Sequence, residues 1–281
     1  MKTIVLTGGN RGLGRATVEQ LARRGHRVVL TARDVAAGEA VAKACGPNVS
    51  VRALDLSSLE SVRRFARELL AEDVHLDVLF HNAGVMQQSP TRRTTKDGFE
   101  ETLGVNVLAP FLLTRLLEPA LERSKARVVF VSSRLHKPGT RGKGAEFDFD
   151  DPQLERGYSP DRAYKNSKLA MLWVAFELDR RLAGRGVRVN GVCPGFVPAT
   201  AAESTAGLKK WFMKHVLVHA PFAASVEQAV DSFCFMALDP SLEGVGGRFY
   251  GEQQALEPSA DARDEAKAKR FWEYASGLVG A

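Results

Sequence analysis

The chain has 281 residues, of which 44% are hydrophobic and 26% charged, which is typical of a globular protein with one substantial core. Its formal net charge of +6 allows an anionic partner, but the basic residues are scattered and form no run of the kind that binds nucleic acid. The three cysteines, Cys45, Cys193 and Cys234, lack metal-ligand spacing, so neither a metal site nor a disulfide framework is expected.

The amino terminus, MKTIVLTGGN, passes directly into an apolar run and a glycine turn, which leaves no room for a signal peptide. No uninterrupted apolar stretch approaches the ~20 residues that cross a bilayer. We therefore expect a cytoplasmic protein without a membrane anchor.

Short apolar runs rich in β-branched residues alternate along the chain with longer amphipathic stretches. The predicted strands are Thr3–Thr7, Arg27–Thr31, Ser50–Leu54, Asp77–Phe80, Arg127–Ser132, Val187–Val192 and Gly247–Tyr250. The predicted helices lie near 12–24, 35–44, 58–72, 97–123, 161–184 and 225–238. Strands that are apolar on both faces and alternate with helices predict an α/β fold. We expect a doubly wound parallel sheet of about seven strands, Rossmann-like, in one domain over 1–281.

Three segments interrupt this alternation. The segment 134–160 is rich in glycine, proline and charge, and 197–222 is a second long connection. Both follow strands at the edge of the sheet where open α/β folds bind ligands, so 197–222 is predicted to be a substrate loop. The tail over about 259–281 is predicted to be helical, with a role in packing or assembly. This leaves open either a homo-oligomer or a monomer whose surface the tail covers.

A glycine turn follows the first strand with the spacing G-x-x-x-G-x-G, in the sequence TGGNRGLG at 7–14. Gly8 would permit the tight turn, Gly12 would let the backbone approach a pyrophosphate, and Gly14 would allow close helix packing. The amides and dipole at the start of the next helix favour an anion. This position predicts a dinucleotide-binding site.

The end of the second strand indicates which dinucleotide is preferred. An NAD site would place a carboxylate here for the ribose 2′-hydroxyl, whereas this strand ends in Thr31 and Ala32, followed by Arg33. Arg33 and Arg11 suit a 2′-phosphate, which favours NADP(H) over NAD(H). Asp34 would weaken that preference if it faced the ribose, and Arg33 could instead be a solvated loop residue.

Tyr164 and Lys168 are four residues apart and would share one face of a helix. A free tyrosine has a pKa of about 10 and is a poor base near neutral pH. A nearby ammonium is expected to lower that pKa and make the phenol a useful general acid or base. Taken alone, a pair at this spacing is usually an ordinary surface pair.

Seven motifs occur together in one order over about residues 3–200. They are TGGNRGLG at 7–14, Asp55-Leu56, His81-Asn82-Ala83-Gly84, Asn106 within GVNVLAPF, Val131-Ser132-Ser133, Tyr164-x-x-x-Lys168 and Cys193-Pro194-Gly195. With these motifs the sequence resembles the short-chain dehydrogenase/reductase family.

The resemblance implies a role for each catalytic residue. Tyr164 would exchange the proton with the substrate oxygen, which Ser133 would orient, and Ser132 is the alternative hydroxyl. Lys168 would hold the nicotinamide ribose and tune Tyr164. Asn106 would position a water that links Lys168 to solvent.

Together, the glycine turn, the strand ends and the resemblance predict a set of cofactor-binding residues. These are Gly8, Asn10, Arg11, Gly12, Leu13, Arg33, Asp55, Leu56, Asn82, Ala83, Gly84, Tyr164, Lys168, Pro194, Gly195, Val197 and Thr200. Two have structural alternatives, since Asp55 could cap a helix near Ser57 and Asn82 could only turn a strand. Ala199 stands where the family suggests a threonine, and Thr200 is expected to replace it.

The strings YSPDRAYKNSKLA and ALDPSLEGVGGRFY resemble the retinol dehydrogenase and protochlorophyllide reductase-like branch. That branch implies an NADP(H)-dependent oxidoreductase that interconverts a bulky, apolar aldehyde or ketone and its alcohol. The run Trp211, Phe212 and Met213 could form a lid over such a substrate or could be helix core. The alternatives are a non-catalytic NADP(H)-sensing protein, which would be expected to lack the tyrosine, lysine or serine, and a sugar-nucleotide epimerase, which would show a different glycine spacing. The physiological substrate and the reaction direction stay open.

Overall fold

A computed structural model describes residues 1–139, 142–201, 211, 217–220 and 223–280. Its strands form one sheet in the order β3-β2-β1-β4-β5-β6-β7-β8. They are β1 (Thr3–Thr7), β2 (Arg27–Ala32), β3 (Val49–Ala53), β4 (Val78–His81), β5 (Arg127–Val131), β6 (Arg188–Cys193), β7 (Phe249–Gly251) and β8 (Gln254–Leu256). The first seven pair in parallel, and β8 pairs antiparallel with β7. The predicted doubly wound sheet of about seven strands is confirmed, with one further short strand.

The helices lie between and after these strands. They are α1 (Gly12–Arg23), α2 (Val35–Cys45), α3 (Leu59–Ala71), α4 (Glu101–Leu103), α5 (Ala109–Ser124), α6 (Pro160–Leu182), α7 (Pro198–Ala201), α8 (Val226–Leu238), α9 (Ala260–Arg263) and α10 (Glu265–Val279). The apolar strands separate two buried clusters, because successive side chains point to opposite faces. Helices α3, α5, α6 and α10 cover one face, and α1, α2 and α8 cover the other.

The stretch predicted as one helix over 97–123 is divided in the structure. The Glu100 carboxylate caps its start by accepting from the amides of Thr102 (2.9 Å) and Leu103 (2.6 Å). A π-helical stretch, Gly104–Leu108, then separates α4 from α5. Such insertions are frequent at functional sites, and this one contains Asn106.

Among the described residues, one helical stretch, Glu101–Ser124, is long and apolar enough to cross a membrane. In the fold, 78% of the most apolar window of this stretch is buried, as is typical of a core helix. The stretch contains no unbroken apolar run of that length, because charged residues interrupt it from Arg115 onward.

The two helices of the tail, α9 and α10, lie against α6. Phe271, Trp272 and Ala275 are buried in the same cluster as the apolar side of α6. The Trp173 indole N–H on α6 also donates to the carbonyl of Asp261 on α9, at 2.6 Å. The tail therefore covers the helix that carries Tyr164 and Lys168. Of the predicted substrate loop over 197–222, most residues, including Phe212 and Met213, lie outside the described residues, whereas Trp211 is 55% exposed.

Candidate active site

The glycine turn joins β1 to α1 and leaves room only for backbone. Gly8 has φ +71°, and a Cβ there would lie 2.9 Å from the Cβ of Ala83. A Cβ on Gly14 would lie 2.1 Å from the carbonyl oxygen of Gly8, so a side chain there would force the backbone to move. Residues with side chains at these positions would fill the space beside the glycine turn. The turn therefore fits a group that approaches the backbone closely, such as a pyrophosphate.

Asn82 holds this turn from the end of β4. Its Nδ2 donates to the carbonyls of Thr7 (2.9 Å) and Gly8 (3.3 Å), and the next amide, of Ala83, donates to the Thr7 hydroxyl (3.0 Å). Asn82 thus supports the glycine turn and does more than turn a strand. The sequence placed these residues together correctly, because the carboxyl ends of β1 and β4 are neighbours.

The end of β2 carries exposed charge beside the glycine turn. Arg11 and Arg33 are both exposed, and neither forms an ion pair with another described residue. The Asp34 carboxylate instead accepts from the amide of Ala37 (3.1 Å) and caps α2. The carboxylate that would have favoured a ribose hydroxyl is thereby engaged in the helix.

Asp55 lies after β3 with its carboxylate in a local network. It accepts from the Ser57 amide (3.0 Å), the Ser57 hydroxyl (2.7 Å) and the Lys96 ammonium (2.8 Å). These donors hold the pKa of Asp55 below its usual value, although burial opposes them as the largest single effect. The residue that caps α3 is Ser58, so the helix-capping alternative for Asp55 is wrong.

The remaining predicted cofactor residues lie along the same edge. Leu56 and Val197 have buried side chains, 8% and 5% exposed, so they contribute packing there. The Thr200 hydroxyl on α7 donates to the carbonyl of Val197 at 3.1 Å. The other members follow the ends of β1, β4 and β6, and they are Asn10, Gly12, Leu13, Gly84, Pro194 and Gly195.

Helix α6 brings Tyr164 and Lys168 together beside the end of β5. The Lys168 Nζ lies 5.4 Å from the centre of the Tyr164 ring and donates to the carbonyl of Val131 at 2.8 Å. Lys168 is only 4% exposed, which an ordinary surface lysine is not. The pair therefore belongs to a buried polar cluster.

The two serines after β5 have different partners. The Ser132 hydroxyl is buried and donates to the carbonyl of Lys168 at 2.8 Å, which fastens α6 to the sheet. The Ser133 hydroxyl lies beside the Tyr164 hydroxyl, where it acts to lower the phenol's pKa against the larger effect of burial. The structure thus brings Ser133, and not Ser132, to the tyrosine.

Burial changes the ionisation of both Tyr164 and Lys168. Although Tyr164 as a whole keeps some exposure, burial around its hydroxyl raises its pKa to about 12. Burial also lowers the pKa of Lys168 to about 8. The expectation that Lys168 lowers the tyrosine pKa is wrong for this structure, because desolvation outweighs other influences and the ammonium points to Val131.

Asn106 lies beside this cluster in the π-helical stretch. Its Oδ1 accepts from the Val85 amide (2.7 Å), and its Nδ2 donates to the Val85 carbonyl (2.9 Å) and to the Ser167 hydroxyl (3.1 Å). A Cβ on Gly84 would lie 3.3 Å from Asn106 Oδ1 and 3.7 Å from Lys168 Nζ. Asn106 is therefore adjacent to the lysine, with its side chain fully engaged in joining the segment after β4 to α6.

Two further residues, Cys193 and His136, lie in this region without a role assigned to them from the sequence. Cys193, at the end of β6, is buried, with 5% of its surface exposed. It also lies close to Tyr164 and Lys168. His136 lies on the turn that Ser133 begins, and its spacing of three residues from Ser133 is the feature that could have indicated a contact.

Comparison with known families gives one match that spans half of the chain. Residues 2–144 match the model described as "short chain dehydrogenase". Among solved structures, an uncharacterised protein from Mycobacterium Paratuberculosis is 34% identical, with a TM-score of 0.76 over 100% of this chain and 94% of that one. A second solved structure, described as a "short chain dehydrogenase/reductase family protein", shares the fold at 23% identity and a TM-score of 0.66 over 89% of this chain and 94% of that one.

Among curated proteins, human retinol dehydrogenases are similar over nearly the whole chain. Human retinol dehydrogenase 14 is 39% identical over 99% of this chain and 86% of its own length. Human retinol dehydrogenase 11 is 38% identical over the same shares of the two chains.

Proposed function

This chain belongs to the short-chain dehydrogenase/reductase family, in its retinol dehydrogenase-like branch, and we propose that it uses NADP(H) to interconvert a bulky carbonyl compound and its alcohol. As a family member it is a carbonyl/alcohol oxidoreductase that uses a nicotinamide cofactor. The observation that carries the finer proposal is the buried cluster of Tyr164, Ser133 and Lys168 at the sheet edge where the glycine turn lies.

The glycine turn between β1 and α1 would hold the cofactor. The pyrophosphate of the cofactor would lie against the backbone of Gly8 and Gly12 at the start of α1, and both residues have a positive φ that favours glycine. When bound, the nicotinamide supplies a hydride to a carbonyl or accepts one from an alcohol. Lys168 and the segment Ala83-Gly84 lie between the turn and Tyr164, so they would bind the nucleotide half nearest the reacting atoms.

Tyr164 is the proposed proton donor to the substrate oxygen. Because burial holds its pKa near 12, the phenol keeps its proton at neutral pH and can donate it. Ser133 lies beside the phenol and would bind the same substrate oxygen, which would fix that oxygen near the proton. A protonated phenol suits carbonyl reduction, and alcohol oxidation would need the phenolate.

Lys168 and Asn106 support this step. The Lys168 ammonium, held by the Val131 carbonyl, would place a donor beside the ribose and supply positive charge when Tyr164 gives up its proton. Asn106 fixes the segment after β4 against α6 through Val85 and Ser167. We propose that it thereby keeps open the proton route from Lys168 to solvent.

The preference for NADP(H) is proposed from the end of β2. Two arginines, Arg11 and Arg33, are exposed beside the glycine turn, and Asp34 is engaged in capping α2. A 2′-phosphate would gain charge-assisted hydrogen bonds there, whereas the carboxylate that would favour a 2′-hydroxyl, that of Asp34, caps α2 through its Oδ1.

The proposed substrate class rests on the relatives. Human retinol dehydrogenases 14 and 11 carry retinol in their names, which is a long apolar alcohol. We propose that this chain also takes a bulky, apolar aldehyde or ketone as the oxidised substrate.

A screen of NADPH oxidation tests this function. The purified chain is supplied with NADPH or NADH and with aldehydes of increasing apolar length, from acetaldehyde to aromatic, long aliphatic and isoprenoid aldehydes. The expected result is turnover of the long or aromatic aldehydes with NADPH and weak turnover with NADH. Equal use of both cofactors would contradict the NADP(H) proposal, and turnover of short aldehydes alone would contradict the substrate class.

A further inference from the structure

The position of Ser133 depends on the short turn that it begins. Ser133 ends the extended segment after β5 and caps the 3₁₀ turn Arg134–His136, with its Oγ accepting from the Leu135 amide at 3.2 Å. The same hydroxyl lies beside that of Tyr164. Any movement of this turn therefore moves the hydroxyl relative to the phenol.

His136 joins this turn to the carboxyl-terminal segment. The ring is 2% exposed, and its Nδ1 lies 2.5 Å from the Ser133 carbonyl oxygen. Its Nε2 lies 3.1 Å from the amide of Ser259, which precedes α9. The ring also packs edge-on against Phe249, with centroids 5.3 Å apart. A buried imidazole with a partner at each nitrogen has one fixed orientation.

The partners also determine where the proton lies. A backbone amide can only donate, so Nε2 of His136 must accept from Ser259. The proton of the neutral ring is then on Nδ1, which donates to the carbonyl of Ser133. Burial lowers the pKa of His136, which favours this neutral form. The chain of bonds therefore runs from the Ser259 amide through the ring to Ser133.

Other bonds connect the same two segments, but they are weaker. Arg134 pairs with Glu252 at 2.8 Å, and the Lys137 ammonium donates to the carbonyl of Glu257 at 3.0 Å, both near solvent. Exposed ion pairs contribute little, so His136 is the buried connection. Because α9 is also bonded to α6 through Trp173, one carboxyl-terminal segment contacts both the turn of Ser133 and the helix of Tyr164.

We propose that His136 is a positioning residue for the reaction, which relays the placement of the Ser259 amide to Ser133 and so aligns the serine hydroxyl with Tyr164. This proposal rests on the proposed function, since it assigns Ser133 to the substrate oxygen. It also makes the carboxyl-terminal segment part of the active site, although it contributes no side chain to the reacting atoms.

Two variants at Ser259 separate the relay from simple stability. Ser259→Ala and Ser259→Pro both remove the hydroxyl that caps α9, which accepts from Ala262 at 3.2 Å. Only Ser259→Pro also removes the amide that bonds His136, and the φ of −65° at this position suits proline. The loss of one hydrogen bond of this kind corresponds to about a tenfold fall in rate. We expect kcat to fall about tenfold in Ser259→Pro relative to Ser259→Ala, with the NADPH dissociation constant unchanged.

Variants at His136 test the other end of the relay. His136→Ala removes both bonds, whereas the amide of His136→Asn can still donate to Ser133 from nearly the position of Nδ1. We expect kcat to fall more in His136→Ala than in His136→Asn, again without a change in NADPH affinity. Equal kcat in Ser259→Pro and Ser259→Ala, or equal losses in the two His136 variants, would overturn the proposal.

A measurement that needs no catalysis keeps this test independent of the proposed function. Nitrogen NMR of the wild-type protein should show His136 neutral, with its proton on Nδ1, from pH 6 to 8. A proton on Nε2 would overturn the relay even if every variant were active. Conversely, a wild-type protein that reduces no carbonyl, yet shows the Nδ1–H form, would contradict the proposed function and leave the bonding of His136 as described.

Discussion

The site has two halves: the cluster around Tyr164 and Lys168, and the basic surface beside the glycine turn. They differ in how far their charged groups are buried. Around Tyr164 and Lys168 the polar groups lie in the protein interior. The Ser132 hydroxyl donates to the Lys168 carbonyl on α6, and the Lys168 ammonium donates to the Val131 carbonyl in the sheet. At the glycine turn and the end of β2, by contrast, Arg11 and Arg33 are exposed and form no ion pair among the described residues. Buried charge interacts strongly and is sensitive to small displacements, whereas exposed charge is screened by salt. The buried half should therefore determine the rate, and the exposed half should determine the choice between cofactors.

The largest effect is expected in the buried half. Lys168→Met should lower kcat by about 10²–10⁴-fold, since it removes the cation beside the acid–base group. Steady-state kinetics with NADPH and an accepted aldehyde would measure it. Lys43→Met, on the exposed side of α2, is the control and should keep wild-type turnover. A Lys168 variant with the same kcat as the control would make Lys168 a bystander.

A variant at Gly14 tests the close packing of the glycine turn, which lies between the two halves of the site. A Cβ there would overlap the Gly8 carbonyl, so Gly14→Ala should destabilise the fold by about 1–3 kcal/mol and weaken NADPH binding. Gly277→Ala is the matched control, because nothing lies within 4 Å of its added Cβ on α10. Urea unfolding and fluorescence titration would measure both. Equal unfolding free energies in the two variants would remove the close-packing argument.

The exposed half is tested at Arg33. Arg33→Ala should weaken NADPH binding about tenfold and leave NADH binding nearly unchanged, because the lost bond is to the 2′-phosphate. The difference should shrink as salt is raised, since exposed charges are screened. Arg64→Ala, on α3, is the control. Equal losses for both cofactors would contradict the assignment of Arg33.

The smallest effect is expected from pH. Since burial lowers the pKa of Lys168 to about 8, the ammonium is present below pH 8 and is lost above it. NADPH affinity should therefore fall several-fold as pH rises through 8 in the wild type. The fall should be absent in Lys168→Arg, because a guanidinium keeps its charge over this range. An identical pH dependence in the two proteins would contradict the role of the ammonium.

Much of the sheet could be predicted because its strands are apolar on both faces. Strand β8 could not, since it has three residues and follows a turn in which Glu252 and Gln253 both have positive φ without being glycine or asparagine. Residues of that kind give no sequence signal for such a turn. The division of the helix at Asn106 was missed for a similar reason, because a π-helical stretch keeps the apolar composition of a helix.

In the site, sequence order was sufficient to group Tyr164, Lys168 and Ser133, because parallel strands end at one edge. It could not indicate the pKa of Tyr164, which depends on how much water the fold excludes. It also could not indicate the contact between His136 and Ser259, which are 123 residues apart in the sequence. Contacts between distant segments were the part that sequence reasoning could not supply.

The central claim is that Tyr164 donates the proton, and one measurement tests it most directly. Tyr164→Phe is compared with Tyr158→Phe, a nearby tyrosine whose hydroxyl has no hydrogen-bond partner among the described residues. Single-turnover oxidation of bound NADPH by an accepted aldehyde is followed by absorbance. Tyr164→Phe should bind NADPH as tightly as the wild type and show no measurable oxidation, while Tyr158→Phe keeps the wild-type rate. Wild-type oxidation in Tyr164→Phe would contradict the account.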